Sequence, residues 1–478
     1  MLSLIGMFIA CAIMLLAERE LLKSFPGYLT PAVVVVGSIG FVYLLPYGLA
    51  LYGFDDPRFY PGRLTENQLN AGVAVVRTFV WVLAIMYLLA VVLVRKKIEP
   101  CPLRFRVSRK VLVYMTVVSV LVWLLHLGLA VRFNPLAMLD RAINPREYTK
   151  LRVGYGFLTY ARAIVFLVFS VLSAAYIFWP VNTRRAVARA KNSKGYLSRS
   201  MFFVVACALS ILGGSKTNVV GVFLFFLFFL QYYLFERGFV VRRRKYRTNK
   251  KNRGLVKDVL IKLSLLIAGA GVLFIAFGAM RTQEINESEL SILNHVLGYQ
   301  REAHNTALVV SDFEWDTKYL ATGFSDVVLS GIPRAIFPEK PVTGFYQRYW
   351  KPVYEPRKVG HHASTFGCLA ETHMMYGAMG PYVAALLLVL AMLVIYRLMF
   401  RPRDVRETIV AVFALYWMYF FVRAGFMGAV MLYVIIIVIG VFALISVARN
   451  LGLLLLVGGR KRSSPTPNGD TPRIVGVV

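Results

Sequence analysis

Closely spaced cysteines and nucleotide-binding loops are both missing from this sequence. The four cysteines, Cys11, Cys101, Cys207 and Cys368, are separated by 90 residues or more. Such spacing provides neither a disulfide framework nor a cysteine-based metal site. No glycine-rich phosphate-binding loop of the Walker type occurs either, which argues against energy coupling by nucleotide hydrolysis.

Acidic residues are also scarce. The chain of 478 residues has 24 Asp and Glu against 55 Lys and Arg, a net charge of +31. In a soluble protein this excess would indicate nucleic acid binding. Here the basic residues stand in short loops between apolar runs, as the positive-inside rule for membrane proteins requires. We therefore expect a lipid bilayer, and no nucleic acid, as a partner.

Long apolar runs are abundant. Hydrophobic residues make up 58% of the chain. A run of about 18 or more apolar residues is long enough to cross a bilayer as a helix. We predict an all-α integral membrane protein with about eleven transmembrane helices, in a range of about 10 to 12. The uncharged runs are 1–17, 31–54, 78–94, 111–131, 163–181, 200–215, 218–235, 263–280, 382–396, 408–422 and 424–448.

The basic loops predict the topology. If all of them are cytoplasmic, the runs alternate without conflict, with the N-terminus outside and the C-terminus inside. The start of the chain lacks the charged region and cleavage site of a signal peptide, and is expected to be a first helix. The predicted regions are transmembrane helices 1 to 8 (1–280), a large outer loop with the candidate active site (281–381), transmembrane helices 9 to 11 (382–448), and a cytoplasmic, partly disordered tail (449–478).

A basic hairpin lies between two apolar runs at the predicted outer surface. It has the sequence Gly213-Gly-Ser-Lys216-Thr-Asn218. Lys216 beside a helix N-terminus could bind phosphate, since the ammonium group and the free backbone N–H groups act together. The alternative is a lysine that extends to lipid headgroups.

The large outer loop contains a segment too polar to span the membrane. We expect Leu320–Phe337 to form a re-entrant or interfacial helix that ends at Pro338. The sequence around Arg334 and Lys340 then forms a rigid basic turn near the membrane surface. The alternative is a proline-rich turn with solvated charges.

Possible acid-base residues follow in the same loop. His361, His362, Glu371 and His373 lack the i, i+4 spacing of a helical zinc pair, so no metal site is predicted. Glu371, His361 or His362 could accept a proton, and the sequence does not choose among them. His373 is a candidate for binding substrate.

Several arginines stand at predicted outer helix ends or in the outer loops. An arginine at such a boundary should be paired or face a water-filled cavity. Guanidinium groups that converge on one cavity would suit a diphosphate. The candidates for diphosphate binding are Lys216, Arg281, Arg334, Lys340, Arg357 and Arg423, and those for binding the rest of the substrate are Arg152 and Arg348 as well as His373.

Three short motifs resemble those of a known family. Gly-Ser-Lys-Thr (214–217), Gly-Ile-Pro-Arg-Ala-Ile-Phe-Pro-Glu-Lys-Pro (331–341) and Ser-Thr-Phe…Glu…Tyr-Gly-Ala-Met-Gly (364–380) look like motifs of Wzy-type O-antigen or exopolysaccharide polymerases, relatives of the O-antigen ligases. The layout covers the whole chain, but the motifs cover under about a tenth of it. Lys216 replaces the arginine of many members, and a lysine is a point charge without a bidentate fork.

The resemblance implies a function. Such enzymes join oligosaccharide repeat units carried on polyprenyl diphosphate, at the outer face of the bacterial inner membrane, with inversion at the anomeric carbon and without a cofactor. It also implies a GT-C-like membrane fold and, as further partners, a chain-length regulator and a flippase. An O-antigen ligase and a transporter or flippase of lipid-linked sugars are the alternatives. A transporter should carry charges near the bilayer midplane, where most of these runs have none.

Overall fold

The structure is a computed structural model that describes eleven stretches of the chain. These are residues 2–22, 29–51, 64–94, 107–138, 156–178, 194–212, 216–236, 301–331, 367–400, 405–425 and 438–447, together with Phe337, Glu339, Pro341 and Pro402.

Within these stretches the protein is all-α, as the sequence predicts. Most helices are long and uniformly apolar, a composition that suits helices surrounded by lipid or by other helices. We number those with stated bounds in chain order: α1 Leu2–Leu21, α2 Pro31–Leu51, α3 Glu66–Val94, α4 Arg109–Ala130, α5 Gly156–Phe178, α6 Lys194–Leu212, α7 Lys216–Glu236, α8 Arg301–Asp312, α9 Lys318–Gly331, α10 Cys368–Tyr376, α11 Gly380–Phe400, α12 Val405–Ala424 and α13 Val438–Val447.

Six spans in the described residues are long and apolar enough to cross a membrane. They are α1, α2, α3, α4, most of α5, and the continuous stretch Cys368–Phe400 formed by α10 and α11. Shorter apolar helices occur in α6, α7 and α13. The chain is therefore a multi-pass membrane protein. The count of about eleven stays a prediction, because α6, α7, α12 and α13 are not among these six spans and the run 263–280 lies outside the described residues.

The helices pack in two groups. In the first, α3 contacts α1, α8 and α11, while α12 packs against α2 and α11. In the second, α5 packs against α4, α6 and α7. Contacts of α12 with α7 and α5 join the two groups. One apolar core runs through both, with fully buried aromatic side chains such as Phe79, Phe169 and Phe228.

One end of the bundle is closed by the short helix α8. Tyr47, near the C-terminus of α2, donates a hydrogen bond to the Ala303 carbonyl at 2.8 Å. Gln68, near the N-terminus of α3, donates to the Asp312 carboxylate at 3.0 Å. We call this the Glu371 end, because it also contains that residue.

The opposite end is organised around Glu18, a buried carboxylate in α1. It accepts a hydrogen bond from the Thr30 hydroxyl at 2.5 Å and another from Tyr396 of α11. Tyr396 in turn bonds Tyr87 of α3 at 2.8 Å. Nearby, the Gln231 amide makes two hydrogen bonds to the backbone of Leu29, at 2.7 and 2.9 Å. We call this the Glu18 end.

Several helices start or stop away from the boundaries that the sequence predicts. The first helix reaches Leu21 rather than Ala17, since its charged last turn has partners inside the bundle. The third helix begins at Glu66, twelve residues before the apolar run, because its first turns pack against α8. The length of an apolar run therefore underestimates the length of a helix whose end is covered by other parts of the protein.

The helix expected at Leu320–Phe337 is present with different bounds. It begins at Lys318, where the Asp316 carboxylate accepts a hydrogen bond from the Lys318 backbone at 3.0 Å. Hydrogen bonds from Lys318 hold the pKa of Asp316 below its usual value. The helix is described as far as Gly331, and the expected end at Pro338 lies outside the described residues. Phe324 and Val328 are exposed on one side of it, as an interfacial helix requires.

Candidate active site

Glu371 lies in the first turn of α10, at the Glu371 end of the bundle. Gly367 precedes the helix with a φ of +86°, which favours glycine, and its carbonyl accepts a hydrogen bond from the Glu371 backbone N–H at 3.2 Å. The helix ends at Gly377, whose φ is +59°. The ring of Trp315 lies against this glycine, and its indole N–H donates to the Met375 carbonyl at 3.0 Å. Glu371 is thus on a short helix fixed at both ends.

The side chain of Glu371 extends to the end of α12. A Cβ built on Gly425 would be 2.3 Å from Oε2 of Glu371, so the carboxylate occupies the space that any other residue's side chain would need. Gly425 has a φ of +96° and follows directly after α12. Glu371 is a buried residue, with 7% of its surface exposed.

Arg423 comes two residues before that glycine. Its Nε donates to Oε1 of Glu302 at 2.9 Å, and its Nη1 donates to the Tyr419 hydroxyl at 3.5 Å. The Glu302 side chain is 1% exposed and that of Arg423 is 12% exposed. Removing only one partner of a buried ion pair of this kind destabilises the folded protein by about 3–5 kcal/mol.

Tyr43 joins the elements that carry these charges. Its hydroxyl donates to the Val422 carbonyl of α12 at 3.4 Å and accepts from the Leu369 N–H of α10 at 3.5 Å. It is also 3.8 Å from the Cys368 sulfur. Tyr43 is fully buried in the π-helical turn Gly40–Leu44 of α2. Such single-turn bulges are frequent at functional sites.

Helix α8 brings several polar side chains into the same region. Residues 302 to 307 are all buried, although four of them, Glu302, His304, Asn305 and Thr306, are polar. Thr306 bonds back to the Glu302 carbonyl at 2.8 Å. Buried polar groups are costly unless they are hydrogen-bonded, so the presence of four of them on one short helix makes α8 a candidate functional element.

The described part of this region therefore contains the buried residues Glu371 and Glu302 and the guanidinium of Arg423, and a further buried acidic residue, Asp326, lies on α9, which packs against α10. Glu371 and Glu302 could each accept a proton or a hydrogen bond from a hydroxyl group. Arg423 supplies a fixed positive charge for an anion. The described residues include no group of three or more His, Cys, Asp and Glu side chains that could hold a metal ion.

Comparison with protein-family models, curated proteins and solved structures finds no match to this chain. The site must therefore be interpreted from its own residues.

Among the residues that the sequence singled out, the structure brings Glu371 and Arg423 to the same end of the bundle. Arg423 is paired, as expected for an arginine at a membrane boundary, and its partner is Glu302. His373 lies on α10, and its buried Nδ1 finds no hydrogen-bond partner among the described residues. Helix α7 begins at Lys216, where the hairpin predicts a helix N-terminus. The Lys216 side chain lies outside the described residues, as do Arg152, Arg281, Arg334, Lys340, Arg348, Arg357, His361 and His362.

Sequence reasoning missed Glu302, Tyr43 and Gly425. Glu302 and Arg423 are separated by 121 positions in the chain, and no spacing rule relates them. One local signal was available: the polar residues Glu302, His304, Asn305 and Thr306 stand close together, with alanines at 303 and 307, in the otherwise mixed segment between the apolar runs 263–280 and 382–396.

Proposed function

We propose that the protein is a glycosyltransferase that polymerises oligosaccharide repeat units carried on polyprenyl diphosphate. The observation that carries the proposal is the meeting of Glu371 with the end of α12, next to Arg423. A proton acceptor and a fixed cation are the two groups that this transfer needs. The motif resemblance around 214–217, 331–341 and 364–380 supports the same activity, including a GT-C-like fold.

The chemistry follows from the donor. The hydroxyl oxygen of one repeat unit attacks the anomeric carbon of another and forms the new glycosidic bond. The bond between that carbon and the diphosphate oxygen breaks, and polyprenyl diphosphate leaves with the electron pair. Attack opposite the leaving group inverts the configuration. In this scheme Glu371 accepts the hydroxyl proton, a role that His361 or His362 could also fill.

Arg423 acts on the leaving group. Negative charge accumulates on the diphosphate as the glycosidic bond breaks, so a cation fixed nearby stabilises the transition state more than the ground state. Arg281, Arg334, Lys340, Arg357 and Lys216 are proposed to add further positive charge. Polyprenyl diphosphate is already a good leaving group, so this scheme requires no metal ion and no other cofactor.

The charge distribution supports an outer location for the site. The basic segments 95–110, 237–257 and 401–406 adjoin helix ends that lie at the Glu18 end. By the positive-inside rule that end faces the cytoplasm. The Glu371 end then faces outward, where lipid-linked repeat units are available after flipping. We propose the bacterial inner membrane as the location, with the N-terminus outside and the C-terminus inside.

The test is turnover by the purified protein. Lipid-linked repeat units should be converted to a ladder of polymer lengths on a gel, and the ladder should persist in EDTA. If EDTA abolishes polymer formation and one specific divalent ion restores it, the histidines would instead be metal ligands. A single transfer to a different lipid acceptor would indicate a ligase. Movement of intact substrate across vesicles without product would indicate a transporter.

A further inference from the structure

Glu302 has no role in the scheme above, yet it is the residue that holds Arg423. Its Oε1 accepts the Nε hydrogen bond of Arg423 at 2.9 Å, and its side chain is 1% exposed. An isolated buried carboxylate would take up a proton or unfold its surroundings. The ion pair with Arg423 stabilises the charged form of the buried Glu302 carboxylate.

We propose that Glu302 is a positioning residue, which orients the Arg423 guanidinium toward the diphosphate of the donor. The inference rests on the proposed function. A guanidinium is planar and presents its donors as a rigid fork. The Nε hydrogen bond to Glu302, together with the longer hydrogen bond from Nη1 to the Tyr419 hydroxyl, fixes the plane of the group.

The pairing also solves an energetic problem. An arginine at a membrane boundary is costly without a counter-charge. Glu302 supplies that charge when no substrate is bound. The two charges of the pair then cancel each other until an anionic ligand binds.

Glu302 is held firmly enough to do this. The carbonyl of the next residue, Ala303, accepts the Tyr47 hydrogen bond at 2.8 Å. On the adjacent turn Ala307 packs so closely on Gly72 of α3 that an added Cβ there would be 2.9 Å away. The Cβ of Glu302 is also close to Gly367, the residue before α10. Helix α8 thus fixes Glu302 against the elements that carry Arg423 and Glu371.

The experiment is a double-mutant cycle on turnover, with Glu302→Gln, Arg423→Ala and the double variant. If Glu302 acts through Arg423, Arg423→Ala lowers turnover by about a hundredfold and Glu302→Gln by about tenfold. The double variant should match Arg423→Ala within about twofold, because the second change removes nothing more. Glu314→Gln, at an exposed carboxylate between α8 and α9, is the matched control and should leave turnover unchanged.

A charge swap separates positioning from simple stabilisation. In Glu302→Arg with Arg423→Glu the pair can re-form, so the melting temperature should recover from that of the single variants. Turnover should not recover, since the cation then stands on α8. If the swap restores turnover together with stability, or if the two single effects multiply in the double variant, the inference is wrong while the proposed function stands.

Failure of the proposed function is recognised separately. The wild-type protein should be stabilised against heat by a short-chain polyprenyl diphosphate, and Arg423→Ala should lose this shift. If the wild-type protein neither turns over lipid-linked repeat units nor shows the shift, the proposed function is wrong, and the positioning role is wrong with it.

Discussion

The carboxylate of Glu371 lies in the space that a side chain at Gly425 would need, with 2.3 Å between Oε2 and a Cβ built there. This contact joins the first turn of α10 to the end of α12, although the two residues are far apart in the chain. Arg423 lies in the last turn of α12. The C-terminus of this helix therefore determines the positions of both the candidate proton acceptor, Glu371, and the candidate cation, Arg423. Their relative positions therefore depend on a residue that takes no part in the chemistry.

Replacing Gly425 with alanine tests that dependence. The new methyl group must displace the Glu371 carboxylate, and the φ of +96° adds strain of about 1–3 kcal/mol. We expect turnover to fall by about a hundredfold, the usual cost of misplacing a catalytic group by about 1 Å. Gly37→Ala is the control, because it is helical and meets nothing within 4 Å. Equal turnover in both variants would show that the position of Glu371 is unimportant.

The buried carboxylate at the other end should matter for stability rather than turnover. Glu18 accepts hydrogen bonds from Thr30, Tyr396 and the Ala32 backbone, and so links α1, α2 and α11. In Glu18→Gln the side-chain NH2 group replaces one of the accepting oxygens and faces groups that are themselves hydrogen-bond donors, so at least one donor loses its acceptor. We expect the free energy of unfolding to fall by about 1–3 kcal/mol, as for other unsatisfied buried groups.

Thermal melting of the protein in detergent measures this effect. Glu66→Gln, at the exposed start of α3, should leave the melting temperature nearly unchanged. If Glu18→Gln melts like the wild-type protein and loses turnover instead, Glu18 belongs to the functional machinery.

The sequence predicted the class of fold well and the site only in part. Apolar runs locate most helices because lipid imposes a minimum length and leaves few alternatives for the backbone. They failed at α3, whose first turns are covered by α8 rather than by lipid. Glu371 and Arg423 were found as charges beside apolar runs. Glu302 was not, since a contact over 121 positions leaves no periodic signal.

Orientation in the membrane can be measured with single cysteines. Glu314→Cys at the Glu371 end should react with an impermeant thiol reagent added outside intact cells, whereas Arg247→Cys should react only after permeabilisation. The background carries Cys101→Ser, because the remaining native cysteines, Cys11, Cys207 and Cys368, are buried. Reversed labelling would place the site in the cytoplasm and contradict the proposed reaction.

The basic turn that the sequence predicts around Arg334 gives a further prediction. Arg334→Ala should lower turnover by about a hundredfold, as loss of an oxyanion donor does, while the protein still reaches the membrane. Arg334→Lys should recover only part of it, because a point charge lacks the bidentate fork. Arg244→Ala and Lys250→Ala, in the basic segment after α7, serve as controls with normal turnover. A fully active Arg334→Ala protein would mean that this turn is only a surface feature.

The most direct test of the whole account is the release of polyprenyl diphosphate from lipid-linked repeat units by the purified protein. We predict one diphosphate released for each new glycosidic bond. Glu371→Gln and Arg423→Ala should lower the rate by about a hundredfold, and Glu314→Gln should match the wild-type protein. Folded wild-type protein that releases no diphosphate, or releases it equally fast without Glu371 and Arg423, would contradict the account.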